Sequence, residues 1–171
     1  ISSTSTGVGV KSYATAAGER AVNEHLKRVG LSGSARADGK GGYQIDYQLD
    51  TRQPSVEIII PSKNNGAQLK ASVQSVLKIT RYLNYSVTII DNGSDEAQTL
   101  VFLERIARDK QVKVISDNRP FNYSQLNNGA VAESEADYVL LLNDDTKVTT
   151  PYWLSDMVAL AARDDSGAVG A

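Results

Sequence analysis

Short runs rich in apolar residues alternate with stretches of helical period along most of this chain. Val56 to Ile60, Tyr85 to Ile90, Val112 to Ile115 and Tyr138 to Leu142 are the runs, and their length and β-branched content predict strands. The last, Tyr-Val-Leu-Leu-Leu, is unbroken, which suits a strand buried on both faces in a parallel sheet covered by helices. Between the runs lie stripes at helical spacing: Leu69, Val73, Val76 and Leu77, then Leu100, Leu103, Ile106 and Ala107. A helix over 123–134 completes the series, although Asn127, Asn128 and Gly129 are poor helix formers and something other than propensity put them there. Pro151 opens a helix to about Arg163, and Ala168 to Ala171 begins another strand. Alternation of this kind demands right-handed crossovers and a largely parallel sheet, so the predicted class is α/β, doubly wound.

The pattern before Pro54 is different. Residues 1–12 are Ser, Thr, Gly and Val without a period, a flexible leader. Tyr13 to Val29 reads as a helix with Gly30 as its C-cap. His25 rides on it as a surface residue, since no second ligand is spaced to join it. Ser32 to Gly42 contains Gly-Lys-Gly-Gly, but its spacing is wrong for a phosphate loop and it is read as a turn. Tyr43 to Leu49 alternates as a half-buried strand, and Asp50 to Pro54 is a linker. The expected division is a leader (1–12), a helix-plus-strand appendage (13–53) and a main domain (54–171).

Chemistry concentrates where the strands stop. Ser62 to Gly66, Asp91 to Asp95 and Asn143 to Thr146 are polar loops at three strand ends, the edge where open α/β sheets bind ligands. If the sheet order sets those strands side by side, the loops line one crevice. Asp144 and Asp145 are adjacent carboxylates that can share a cation if the chain turns there, and Thr146 tolerates a turn. Asn64-Asn65-Gly66 does not supply the glycine fingerprint of a dinucleotide site, which argues against NAD and FAD. The net charge of -2 with scattered lysines and arginines in 171 residues carries no nucleic-acid footprint. The absence of cysteine removes disulfides and thiolate metal sites, and no apolar run is long enough to span a membrane.

Taken together, Val56-Glu57-Ile58-Ile59-Ile60-Pro61-Ser62-Lys63-Asn64, Ile89-Ile90-Asp91-Asn92-Gly93-Ser94, Phe121-Asn122-Tyr123-Ser124 with Asn127-Asn128, Leu141-Leu142-Asn143-Asp144-Asp145 with Trp153-Leu154, and Gly167-Ala168-Val169-Gly170-Ala171 resemble the donor half of family 2 inverting glycosyltransferases. The resemblance runs from about Pro54 to Ala171 and is closest to the branch that builds bacterial O-antigens and other surface polysaccharides, rhamnosyltransferases among them. It implies the GT-A fold, a mostly parallel sheet flanked by helices, truncated at its C-terminal side and carrying a small N-terminal appendage.

The resemblance also implies a site. Pro61, Ser62 and Asn64 would border the nucleotide, with Asp91 and Asn92 at the base; many members have a second acid where Asn92 stands. Asn122 lies where some members put a basic residue near the diphosphate, and Asn128 and Asp144 join the nucleotide set. Asp144 and Asp145 fit the family's D-x-D site, with Asn143 in place of its first acid and Asp145 reaching Mn²⁺ or Mg²⁺. The catalytic base of the family lies well past this strand, so it is expected beyond Ala171. The expected reaction is inverting transfer from a dTDP- or UDP-linked sugar to a saccharide or lipid-linked acceptor. It would run in the cytoplasm, at the inner face of the plasma membrane, with peripheral membrane association through regions outside the chain. Two alternatives stand beside it: a non-catalytic nucleotide-binding or assembly module of a larger glycosyltransferase, and a nucleotidyltransferase. The latter usually carries a glycine-rich loop with basic residues after its first strand, where Lys63 is the only basic residue of this chain's loop.

Overall fold

The computed structural model describes residues 12–49 and 53–170. The expected leader, apart from Ser12, and most of the 50–54 linker lie outside them. The chain divides into two compact units, one of residues 1–50 with 159–171 and one of residues 51–158.

In the first unit, helix α1 (Ser12–Arg28) accompanies a hairpin of β1 (Gly33–Ala37) and β2 (Tyr43–Tyr47), paired antiparallel with Ala35 opposite Ile45. The helix ends as its sequence requires. Gly30 takes φ 74°, a left-handed conformation that costs glycine nothing, and the Leu31 N–H donates to the Leu26 carbonyl at 2.9 Å. Strand β1 corrects the reading of 32–42 as a turn throughout. Gly-Ser-Ala-Arg-Ala has no large apolar residue to announce a strand, and its outer edge is held from α1. The Asn23 amide donates to the Ala35 carbonyl at 3.1 Å and accepts from the Ala35 N–H at 2.9 Å, while Glu19 Oε1 accepts from the Ala37 N–H. His25 is exposed. Residues 168–170 form no strand, contrary to the expectation from Ala-Val-Gly-Ala.

The second unit contains β3 (Val56–Ser62), α2 (Gly66–Ile79), β4 (Tyr85–Asp91), α3 (Ala97–Ile106), β5 (Val112–Ser116), α4 (Tyr123–Glu133) and β6 (Tyr138–Leu141), and the part of α5 (Trp153–Ala161) up to Val158, which supplies buried Leu154 and Val158. The sheet is wholly parallel in the order β5-β4-β3-β6. Ile58, Ile59 and Ile60 are fully buried, each contributing about 1.5–3 kcal/mol relative to exposure. Ile59 and Ile90 pack under Leu126 and Ala130 of α4. The order places β3 between β4 and β6, so the three polar loops become neighbours.

One strand departs from expectation. β6 is an edge strand whose exposure alternates, leaving Val139 and Leu141 at 40% and 47% exposed. Val139 pairs with Glu57 and Leu141 with Ile59, so both stand on the Ile59 face of the sheet, the face on which α4 packs. Their exposure shows that this cover stops short of the edge.

Candidate functional site

The site begins with a proline in a strand. Leu142 N–H donates to the Ile59 carbonyl at 2.9 Å, and the next rung of a parallel ladder needs an N–H from residue 61. Pro61 has none, so β6 stops pairing at Leu141 while β3 continues beside β4 to Ser62, opposite Asp91. β6 is thus released one step before the Asn143 turn, closed by the Thr146 N–H on the Asn143 carbonyl at 3.1 Å. Pro61 is itself buried, which makes it a shaper of the edge and not a surface against a ligand.

The loops are then tied together by named bonds. Ser62 Oγ donates to Asp144 Oδ2 at 2.6 Å, and the Asn65 amide donates to the same oxygen at 3.2 Å, joining the ends of β3 and β6. Asn64 joins the first loop to the second. Its N–H donates to Ser94 Oγ at 3.0 Å, its Oδ1 accepts from the Asp95 and Glu96 N–H groups at 2.7 and 3.0 Å, and its Nδ2 donates to Asp95 Oδ1 at 2.6 Å. Asn64 is also the only non-glycine among the described residues with positive φ, at 51°. Asn92 joins the second loop to the third: its Nδ2 donates to the carbonyls of Asp117 and Arg119 at 2.6 and 2.8 Å. These bonds alter two expectations. The amide of Asn64 and the NH₂ group of Asn92, expected at the nucleotide, are spent inside the protein, and Asn92 is only 3% exposed.

Asp91 is buried at the β4 end, with Oδ1 accepting from the Ser94 N–H at 3.0 Å. Oδ2 remains as an acceptor. Asp145 is exposed and makes no hydrogen bond or ion pair among the described residues, while Asp144 keeps Oδ1 free. Two carboxylates at a turn, one anchored and one open, fit Mn²⁺ or Mg²⁺, which take oxygen ligands and often bind through one or two carboxylates plus substrate phosphate. Among the described residues no group of three or more His, Cys, Asp or Glu gathers to hold an ion alone. Substrate oxygens would have to complete the shell.

The third loop and α4 frame a cavity of about 610 Å³ lined by Arg119, Asn122, Ser124, Gln125, Asn128 and Gly129. Asn122 is the N-cap of α4, its side chain accepting from the Gln125 N–H at 3.0 Å, which explains an Asn at that place. Asn128 lines the cavity, whereas Asn127 is 98% buried, bonded back to the Tyr123 carbonyl. Arg119 was not among the sequence candidates. Its guanidinium is forked against Asp117, and that hydrogen bond holds the Asp117 carboxyl down at about 2. The one signal was the Asp-x-Arg spacing before Pro120. A second cavity of about 310 Å³ opens near the amino ends of the strands, where both oxygens of Glu57 are satisfied by Thr88 and Ser134 hydroxyls.

Among the described residues no helix is long and apolar enough to cross a membrane. The chain is 45% identical over 165 residues to the uncharacterized protein y4gI of Sinorhizobium fredii (strain NBRC 101917 / NGR234), covering 94% of this chain and 18% of that protein. It is 37% identical over 168 residues to the O-antigen biosynthesis protein RfbC of Myxococcus xanthus, covering 98% of this chain and 13% of that one. The chain therefore spans less than a fifth of the length of either relative. Its fold is that of the mannosyltransferase PcManGT from Pyrobaculum calidifontis, solved in complex with GDP-Man and Mn²⁺, with a TM-score of 0.61 at 16% identity over 88% of this chain and 42% of that one. The expected GT-A architecture is thus present. Residues 57–171 match the model of glycosyl transferase family 2, and the chain belongs to that family.

Proposed function

We propose that this chain forms the donor-binding part of a glycosyltransferase that uses a uridine- or thymidine-diphosphate sugar and, within a larger protein, glycosylates a saccharide or lipid-linked acceptor with inversion. The observation that carries the reading is the bond from Ser62 to Asp144, which fixes one carboxylate between β3 and β6 and leaves Asp145 beside it, open and unpartnered. The buried Asp91 presents Oδ2 to the imide N–H of a pyrimidine base, a neutral donor that suits a carboxylate acceptor. Asp144 and Asp145 would hold Mn²⁺ or Mg²⁺ with the diphosphate oxygens. A metal so bound stabilises charge on the departing diphosphate. The protein's own part is to fix the two carboxylates and the nucleoside on rigid strand ends, so that the anomeric carbon is presented in one orientation. Surface-polysaccharide synthesis is the setting this reading favours, on the likeness to a protein named for O-antigen biosynthesis.

Calorimetry with UDP, dTDP and GDP, each with Mn²⁺ and with EDTA, tests the reading. Binding of UDP or dTDP that chelation weakens at least about tenfold supports it. Equal binding in EDTA removes the metal, and preference for GDP removes the pyrimidine.

A further inference from the structure

We infer that Ser75 and Thr80, on helix α2 and its C-cap, are positioning residues for Asp145, which they hold through Val148 and Trp153. This rests on the donor-site reading above and extends it to residues that touch no ligand. Asp145 makes no hydrogen bond of its own among the described residues, so its carboxylate stands where the backbone on either side of it is fastened. On the near side, Asp144 is fixed by Ser62 and by Asn65, the N-cap of α2. On the far side, residues 145–147 are exposed, and Val148 is the only buried residue between Asn143 and Trp153. Its N–H donates to Ser75 Oγ at 2.9 Å, in the interior of the same helix.

The helix continues as a splint for the chain that leaves the turn. The Arg81 N–H, just past α2, donates to the Pro151 carbonyl at 2.9 Å, and the Trp153 indole N–H donates to Oγ1 of Thr80, the C-cap, at 3.0 Å. Residues 144, 148, 151 and 153 are thus bonded to residues 65, 75, 81 and 80, so contact runs from one end of α2 to the other. This gives Trp153, which the donor site itself does not use, a place in the arrangement. Ser75 is the strongest of these anchors, because its hydroxyl also donates to the Ser72 carbonyl at 2.7 Å, which turns its lone pairs toward Val148. Ser72 supplies the contrast: it is 1% exposed on the same helix, yet its own hydroxyl has no hydrogen-bond partner. A buried N–H that loses its acceptor must shift to find another, and Val148 is close enough in the chain for that shift to reach Asp145. Groups that hold a ligand in place from behind typically matter roughly 10- to 100-fold in metal affinity.

The test compares the full chain with S75A, S75T, T80V and S72A by two measurements: UDP affinity in Mn²⁺ and in EDTA, and hydrogen exchange at the Val148 amide. The ratio of the two affinities reads the metal-dependent part alone, because loss of structure would lower both equally. In S75A the ratio should fall about tenfold, the low end for a group acting from behind a ligand, and the Val148 amide should exchange faster. S75T keeps the hydroxyl and should restore both. T80V acts through Trp153, farther from Asp145, so it should lower the ratio by less; it carries the argument if S75A does not fold. S72A removes an equally buried hydroxyl that holds nothing and should leave the ratio unchanged. An unchanged ratio in S75A, beside a parent chain that binds UDP more tightly in Mn²⁺, overturns the role of Ser75 and leaves the donor-site reading standing. An equal fall in S72A overturns it as well, by showing that any hydroxyl lost from α2 has the same effect. A parent chain that binds UDP no better in Mn²⁺ than in EDTA overturns the metal-dependent donor site itself, and this inference with it.

Discussion

Substitution of Asn64 gives a ranking that depends on the sign of one backbone angle. Asn64 sits at φ 51°, where an L-residue pays about 1–2 kcal/mol and asparagine less, because its short amide can bond locally. Its side chain makes three hydrogen bonds, two of them to the N–H groups of Asp95 and Glu96 just ahead of α3. That service matters because Glu96, the N-cap of α3, offers no side-chain cap of its own. At roughly 0.5–1 kcal/mol for each partly solvated bond, N64A loses about 2 kcal/mol in contacts and about 1 kcal/mol in backbone strain, near 3 kcal/mol altogether. N64G loses the same contacts without the strain, so it should be more stable than N64A by about 1 kcal/mol. In ordinary helix or strand backbone the order is reversed, with Ala ahead of Gly by about 0.5–1 kcal/mol. Urea unfolding followed by fluorescence of Trp153, the single tryptophan, measures both variants within the unit that contains the site. If N64A proves equal to or more stable than N64G, the left-handed conformation and the reasoning built on it are wrong.

The two carboxylates should separate by role. D145A should cost about thirtyfold in Mn²⁺-dependent UDP affinity, since even two unit charges 4 Å apart in water are worth about 1 kcal/mol and a divalent ion doubles that. D144A should cost less of the metal-dependent part, and the reverse ranking would show that Asp144 is the main ligand. The Arg119 hydrogen bond lowers the Asp117 pKa from 3.8 to about 2. A depressed acid contributes its stabilisation fully above the unfolded value and loses it as pH falls toward the folded one, so the contribution should be full at pH 5 and fall away between about 3.8 and 2, the pair itself opening around pH 2. Carboxyl ¹³C titration should find that midpoint, and R119A should move it back toward 3.8. G66A should lower the melting temperature by about 2–4 °C for each kcal/mol lost, because a Cβ there would lie 2.6 Å from Thr99 Oγ1 and 3.0 Å from its Cα. A rise in melting temperature would mean that the gain in helix propensity outweighs the contact.

How much of this was legible in the sequence follows from which interactions are local. The Val56, Tyr85 and Val112 strands and the helices between them announce themselves by period, and the crossover rule turns their order into a parallel sheet. Tyr138 to Leu142 misled because an apolar run records the side chains and not what covers them; β6 lies at the sheet edge, where α4 does not reach Val139 and Leu141. β1 was invisible because Asn23 and Glu19, which hold it, lie 12 and 18 residues away in the chain. At the site, strand ends and turn chemistry identified the loops correctly as neighbours. The same polar residues, though, can face a ligand or fasten one loop to the next. Asn64 and Asn92 do the second, and only distances distinguish that from the first. Arg119 escaped notice because a single cation beside a proline has no pattern until the Asn92 amide and the α4 cavity surround it.

The bonds between Asn23 and Ala35 have one more consequence. They are the two bonds a third β-strand would make to the outer edge of β1, supplied by one amide on a helix. A two-stranded hairpin is marginal in water, and its free edges invite pairing with other chains. Here a side chain stands in for the missing neighbour and closes that edge to recruitment. Removing α1 would therefore do more than strip cover from Leu26's side of the hairpin: it would uncover an adhesive strand. A fragment beginning at Gly33 should self-associate more readily than the longer chain, so the helix guards an edge as well as a shape.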